Sequence, residues 1–258
     1  MLFSCLPVMA NPKVEYRDGI YQIKIDNSPK DAKRLDFISV DELQTNQFIH
    51  RLYRSKLTVN AGFFDPKNQK TISYIESKGE GSENPLFNEN LISNPVLGKN
   101  LSKILNRTEF RVLECENGTY LYDIAEHNDS TPDGCYILTS AQAGPELYPR
   151  LRLEEEFFIV KDLNGNVIRE SCSVLHKTPR TLIALKNGDI YIFIFTNQHP
   201  ISLPEAREYL ENFGVDKAMA FDGGSSSSLD FEDSIHVIST QGDGNDTGRK
   251  LKSFLIYK

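Results

Sequence analysis

Two apolar runs, Thr181–Lys186 (TLIALK) and Tyr191–Phe195 (YIFIF), flank Asn187-Gly188-Asp189, and no other feature constrains the fold as much. Asn-Gly tolerates the left-handed backbone that a tight hairpin requires, so the two runs are expected to pair antiparallel. A run that is apolar at every position fits a strand covered on both faces. Such a chain must be layered. Further segments read as strands: Tyr21–Asp26, Phe110–Cys115, Tyr120–Ile124, Tyr136–Thr139 and Phe157–Lys161. Asn164-Gly165-Asn166 marks a second hairpin.

Helix is scarcer. Leu203–Phe213 is the clearest, with Ser202 as N-cap, Pro204 in the first turn, Glu205 three residues after the cap and Gly214 as the stop. Leu203, Ala206, Leu210 and Phe213 then share one face. A weaker pattern predicts helix over Asp41–Tyr53. Ser77–Asn100, rich in Asn, Gly, Glu and Ser, reads as a long loop with a short helical turn. Loops of that length inside a domain are often functional. The fold class expected is α+β: one domain, residues 11–258, with a central mixed, mostly antiparallel β-sheet and few helices.

A net charge of −7 over 258 residues argues against a general nucleic-acid binder. It leaves room for an anionic substrate, because a few arginines in a pocket act locally. No run approaches the roughly 20 apolar residues of a membrane span. Residues 1–10 are apolar and end in Val8-Met9-Ala10, as in a truncated signal peptide or N-terminal extension, so export to the periplasm or exterior is expected; the alternative is a packed N-terminal strand in a cytoplasmic protein. Of the four cysteines, Cys115 and Cys135 lie in neighbouring strand-like segments and would pair in an exported protein. Buried free thiols are the favoured expectation. No organic cofactor is expected. Asp243 and Asn245 begin a series of oxygen ligands resembling a calcium loop, but Phe254 stands where its closing glutamate belongs, so a polar loop is favoured.

Chemistry concentrates at Ala218–Leu229 (AMAFDGGSSSSL). A buried strand ends in Asp222, and Gly223-Gly224 let the main chain turn and a ligand approach. Successive N–H groups and the hydroxyls of Ser225, Ser226 and Ser227 suit an anion. Asn60 closes a short strand in TVNAGFFD and can bond a sugar hydroxyl or a phosphate oxygen. Arg180, with Thr181 after it, stands at the mouth of the TLIALK strand, where a guanidinium matches phosphate bidentately. Gln142 precedes a Gly-Pro corner in AQAGPEL. His199 is a candidate proton shuttle, as imidazole titrates at about pH 6.5; a loop histidine with no catalytic task is the stronger expectation.

The ordered set NAGFFD, QAGPEL, the PRT strand with its Asn-Gly hairpin, the helix and then FDGGSSS resembles the phosphodiester glycosidase family from about Val59 to the C-terminus, including Gly248-Arg249 before a final apolar strand. Ala61 and Ser225 stand where family members often carry glycine. The resemblance implies that Asn60, Gln142, Arg180, Thr181, Asp222, Gly223, Gly224, Ser226 and Ser227 fall on pocket motifs. It also implies a carbohydrate or sugar-phosphate partner and hydrolysis of a sugar-1-phosphodiester. Asp222 would be the key carboxylate, and Arg180 with the Gly/Ser turn would hold phosphate. The alternatives are a non-catalytic glycan- or exopolysaccharide-binding protein and a phosphodiesterase cleaving P–O.

Overall fold

The computed structural model describes residues 12–79, 82–239 and 248–258. The N-terminal residues 1–10 and the calcium-like positions Asp243 and Asn245 lie outside the described residues. The chain folds as one α+β domain in which antiparallel sheets of six, five, four and two strands share the core. The predicted hairpin is there: Arg180–Lys186 pairs with Asp189–Phe195, and Asn187 and Gly188 both take positive φ, 53° and 83°. It forms the middle of the six-stranded sheet, with Ile20–Ile25 on one side and Lys217–Ala220 on the other. Helix Leu203–Phe213 carries the full Ser202–Glu205 capping box and ends on Gly214 at φ 78°.

In the five-stranded sheet Leu57–Asn60 lies between Ser228–Phe231 and Leu251–Tyr257, and Leu35–Gln44 takes the edge. The four-stranded sheet centres on Thr108–Cys115 and Cys135–Gln142. These sheets meet at Phe37, whose ring takes Phe110 and Phe221 edge-on at 6.0 and 5.9 Å. Such offset aromatic contacts reinforce simple area burial. They fix the residue just before Asp222 in the deepest part of the core.

Three expectations need correction. The helix expected over Asp41–Tyr53 is the end of strand Leu35–Gln44, then helix Asn46–Tyr53 capped by the Thr45 side chain. Pairing with Leu251–Tyr257 outweighs helical propensity in the first half. The loop expected over Ser77–Asn100 contains the helical turn Pro85–Phe87 and helix Glu89–Ser93, capped by Asn84 and Asn88, and then the turn Gly98–Asn100 leading into helix Leu101–Leu105. Finally, Cys115 and Cys135 are not free thiols. They face each other in the strand register and form a disulfide, and among the described residues Cys172 is a free, exposed cysteine.

Candidate active site

Three of the sequence motifs converge through main-chain hydrogen bonds. Strand Lys217–Ala220 runs beside Arg180–Lys186, and beyond it Phe221 N–H donates to the Thr181 carbonyl at 2.9 Å. Asp222 N–H then donates to the Ala61 carbonyl at 2.9 Å, and Gly224 N–H to the Pro179 carbonyl at 2.8 Å. Gly224 needs positive φ, 62°, to make this turn. A Cβ on Gly223 would crowd Arg180 Nη1 and the Pro179 carbonyl, both 3.3 Å away. The motif's glycines thus serve close approach and turning, and Gly224–Ser226 closes as a single helical turn.

Asp222 opens into a cavity of about 550 Å³. Gly223 N–H donates to its Oδ1 at 2.9 Å, and the Ser226 hydroxyl bonds the same carboxylate. Burial nevertheless pushes the Asp222 carboxyl up to about 6, against the opposing pull of Ser226, the Arg249 charge, the Gly223 N–H and Arg180. Desolvation dominates here, although the side chain keeps partial contact with solvent at the cavity.

The cations that line the cavity are Arg107, Arg169, Lys177 and Arg249, with His176 beside them. Arg249 Nη1 donates to the Ser225 and Ser226 hydroxyls at 3.0 and 3.2 Å, and its guanidinium lies over the Phe64 ring at 5.0 Å. Arg107 lies over Phe158 at 4.1 Å and donates through Nε to the Glu156 carbonyl at 3.0 Å. Arg169 covers Phe157 at 4.1 Å and bonds its carbonyl at 2.8 Å. Burial lowers the pKa of both Arg107 and Arg169. Among the described lining residues Asp222 is the sole carboxylate, so this cavity is electropositive although the protein is acidic.

The sequence-selected polar residues mostly frame this cavity. Gly223, Gly224 and Ser225 line it. Asn60, fully buried, donates to the Asp222 carbonyl at 2.6 Å and accepts from the Thr181 hydroxyl at 2.8 Å and Ser228 N–H at 3.1 Å. Gln142 Nε2 donates to the Leu105 carbonyl at 2.8 Å, bracing the segment that delivers Arg107. Arg180 is buried with all its bonds to main-chain carbonyls: Ile201 at 3.1 Å, Cys172 at 3.2 Å, Ser173 at 2.5 Å and His176 at 2.9 Å. Desolvation lowers its pKa to about 10. Cys172 and Ser173 both have positive φ, 58° and 49°, so Arg180 holds a strained turn against the cavity. Ser227 is buried, with its hydroxyl outside the lining.

His199 lies elsewhere, with Nδ1 3.1 Å from the Asp18 carbonyl in a separate depression beside Arg17 and Tyr209. The histidine at the cavity is His176, and its only hint in the sequence is its place four residues before Arg180. Arg107 and Arg169 offered no local signal. Arg249 did, through the Gly248-Arg249 pair before the last strand.

One half-buried carboxylate beside arginines that lie over phenylalanine rings, on a framework of antiparallel sheets, gives this cavity a net positive lining. The phosphodiester glycosidase family matches residues 53–258, and the chain belongs to that family. Among solved structures, it resembles the zebrafish N-acetylglucosamine-1-phosphodiester alpha-N-acetylglucosaminidase catalytic domain, auto-inhibited by its pro-peptide. The TM-score is 0.66 at 12% identity, covering 92% of this chain and 76% of that one. A hypothetical protein from Synechocystis aligns with TM-score 0.58 at 14% identity, over 95% of this chain and 61% of the other. A Burkholderia pseudomallei protein aligns with TM-score 0.53 at 11% identity, over 92% and 73%. No match is found among curated proteins.

Proposed function

We propose that this protein hydrolyses the glycosidic C–O bond of a sugar-1-phosphodiester, with Asp222 as the working carboxylate. The observation that carries this reading is one carboxylate among Arg107, Arg169, Lys177 and Arg249 in the same cavity. Ordinary glycosidases need a second carboxyl group to protonate an alkoxide leaving group. A phosphate monoester, whose second pKa is about 6, departs as an anion without that help. Cations then do what the second carboxyl would have done, because they stabilise charge developing on the phosphate oxygens.

In this scheme Arg249, held by Ser225 and Ser226, and the Gly223–Gly224 main chain cradle the phosphate. Arg107 and Arg169 are fixed by their phenylalanine faces and add charge without needing to reorganise. Asp222 either attacks the anomeric carbon, forming a glycosyl ester that water then hydrolyses at that carbon, or takes a proton from the attacking water. The C–O electron pair leaves with the phosphate, the water oxygen stays on the sugar, and the proton reaches solvent. Asn60 and Arg180 act as positioning residues, Asn60 on the Asp222 main chain and Arg180 on the 172–176 turn. Gln142 positions Arg107. The Cys115–Cys135 disulfide supports an exported protein working in an oxidising compartment.

The test is turnover of a panel of sugar-1-phosphodiesters in ¹⁸O-water, with Asp222→Asn as control. Label in the sugar and loss of turnover in the variant are the expected results. Label in the phosphate would make the protein a phosphodiesterase, and tight binding without turnover would make it a glycan-binding protein.

A further inference from the structure

The cavity is chemically two-sided, and the site described above uses only its charged side. Phe63, Phe64, Ile72, Leu91, Leu97 and Ile104 line the remainder. Leu91 and Ile104 belong, with Phe157, to a small apolar cluster separate from the main core, against which Ile72, Leu97 and Leu101 pack. The wall remains accessible from the cavity.

A second depression of about 490 Å³ adjoins the first and shares Phe64, Ile72, Leu91 and Leu97 with it. Every shared residue is apolar, and none of Arg107, Arg169, Arg249, Lys177 or Asp222 reaches the second depression, whose far rim is polar, with Asp65, Lys67, Asn88, Asn90, Ser93 and Asn94. The apolar side is therefore the end of the cavity that leads away from the carboxylate. Phe64 marks the border, with the Arg249 guanidinium over its face. A phosphate held by Arg249 would send its second ester substituent past Phe64 into the apolar arm. Leu86, Phe87, Ile92 and Val96, in the same 85–97 stretch as Leu91 and Leu97, are 49%, 73%, 38% and 53% exposed.

We infer that the group esterified to the phosphate is an apolar chain, so that the substrate is a sugar 1-phosphate ester of a long-chain or prenyl alcohol. This rests on the phosphodiester reading above and adds the substrate class. A sugar in the stretch walled by Phe63, Phe64, Ile72, Leu91, Leu97 and Ile104 would leave hydroxyls facing carbon without hydrogen-bond partners, a costly arrangement. An alkyl or prenyl chain there gains about fourfold in affinity per fully buried methylene.

The experiment uses two chain-length series on the intact protein. Methyl, octyl and geranyl phosphates are titrated by calorimetry below their aggregation limits, and methyl, octyl, geranyl and hexosyl diesters of one hydrolysed sugar 1-phosphate are compared by kcat/KM. The expected result is octyl or geranyl phosphate binding at least 30-fold tighter than methyl phosphate, with the same order in kcat/KM carried by KM. Preference for geranyl over octyl assigns a prenyl chain, and the reverse a saturated one. Leu97→Asp, at a partly exposed position, should bring the octyl-to-methyl ratio down towards one. Binding of methyl and octyl phosphate within threefold, or a hexosyl diester preferred over octyl, overturns the inference. If no diester is turned over at all, the hydrolase reading fails, and the calorimetric series alone decides the apolar arm.

Discussion

Asn60 and Asp222, 162 positions apart in sequence, are joined by a 2.6 Å hydrogen bond from the Asn60 side-chain amide to the Asp222 main-chain carbonyl. The same side chain accepts from the Thr181 hydroxyl and Ser228 N–H, so one buried amide ties the carboxylate's backbone to two neighbouring strands. Asn60→Ala would leave these buried groups unpaired, at about 2–4 kcal/mol of stability. Turnover should fall on the order of a hundredfold, mainly in kcat, since the carboxylate is displaced while the phosphate cations remain. Denaturant melts and steady-state kinetics on the purified variant check both. A rise in KM at constant kcat would show that Asn60 touches substrate instead.

The Asp222 carboxyl makes opposite demands on activity and stability. Its folded pKa, about 6, lies above the ordinary carboxyl value of 3.8. The stabilising contribution of the protonated group is therefore fully present below pH 3.8 and lost as pH rises through about 6. A shift of this size, discounted for the partial exposure of the side chain, is worth on the order of 2 kcal/mol. Asp222→Asn should accordingly be inactive yet more stable than wild type at pH 8, with the difference vanishing near pH 4. Wild-type kcat/KM should rise with pH through about 6, because the anion does the chemistry. Thermal melts across pH and a pH–rate profile report these separately.

Local features of the sequence were readable, and distant juxtapositions were not. The Leu203–Phe213 helix was legible because Ser202, Glu205 and Gly214 are its own neighbours. The Asp222 turn was legible because Gly223 and Gly224 declare close approach and positive φ within two residues. The Cys115–Cys135 disulfide depends on the register of two strands, which no residue nearby announces. Leu35–Gln44 becomes a strand only because Leu251–Tyr257 pairs with it. Arg107, Arg169 and Arg249 reach one cavity from three distant segments, each resting on a phenylalanine ring that tertiary structure supplies. Asn60, Gln142 and Arg180 stood out as functional residues, and the structure gives them framework contacts around the cavity.

Removing Arg249 takes away a charge that holds the Asp222 carboxyl down and, in the proposed reaction, a phosphate ligand. Arg249→Gln should lower kcat/KM by about 10²–10³-fold, the scale for losing one preorganised donor. It should also move the acid limb of the pH–rate profile upwards. Arg249→Lys restores the charge and should return that limb towards wild type, but it cannot bond Ser225 and Ser226 in the same fork and should recover little of the rate. An unmoved acid limb in Arg249→Gln would separate this arginine from Asp222 electrostatically.

Arg180 gives the sharpest contrast between holding the fold and holding phosphate. Its guanidinium satisfies the carbonyls of Ile201, Cys172, Ser173 and His176, two of them in a turn with positive φ. A lysine ammonium is a point charge with three donors and cannot reproduce that planar set. Arg180→Lys should therefore destabilise the protein by about 2–4 kcal/mol. It should also speed amide exchange selectively over residues 172–176, the turn that carries His176 to the cavity. Because that turn and Lys177 help form the cavity wall, kcat should fall even where the variant stays folded. Hydrogen exchange by mass spectrometry, run beside calorimetric titration of inorganic phosphate, separates the two roles. Faster exchange with phosphate affinity within threefold of wild type is the expected outcome. Unchanged exchange with a large loss of phosphate affinity would instead make Arg180 a direct phosphate ligand.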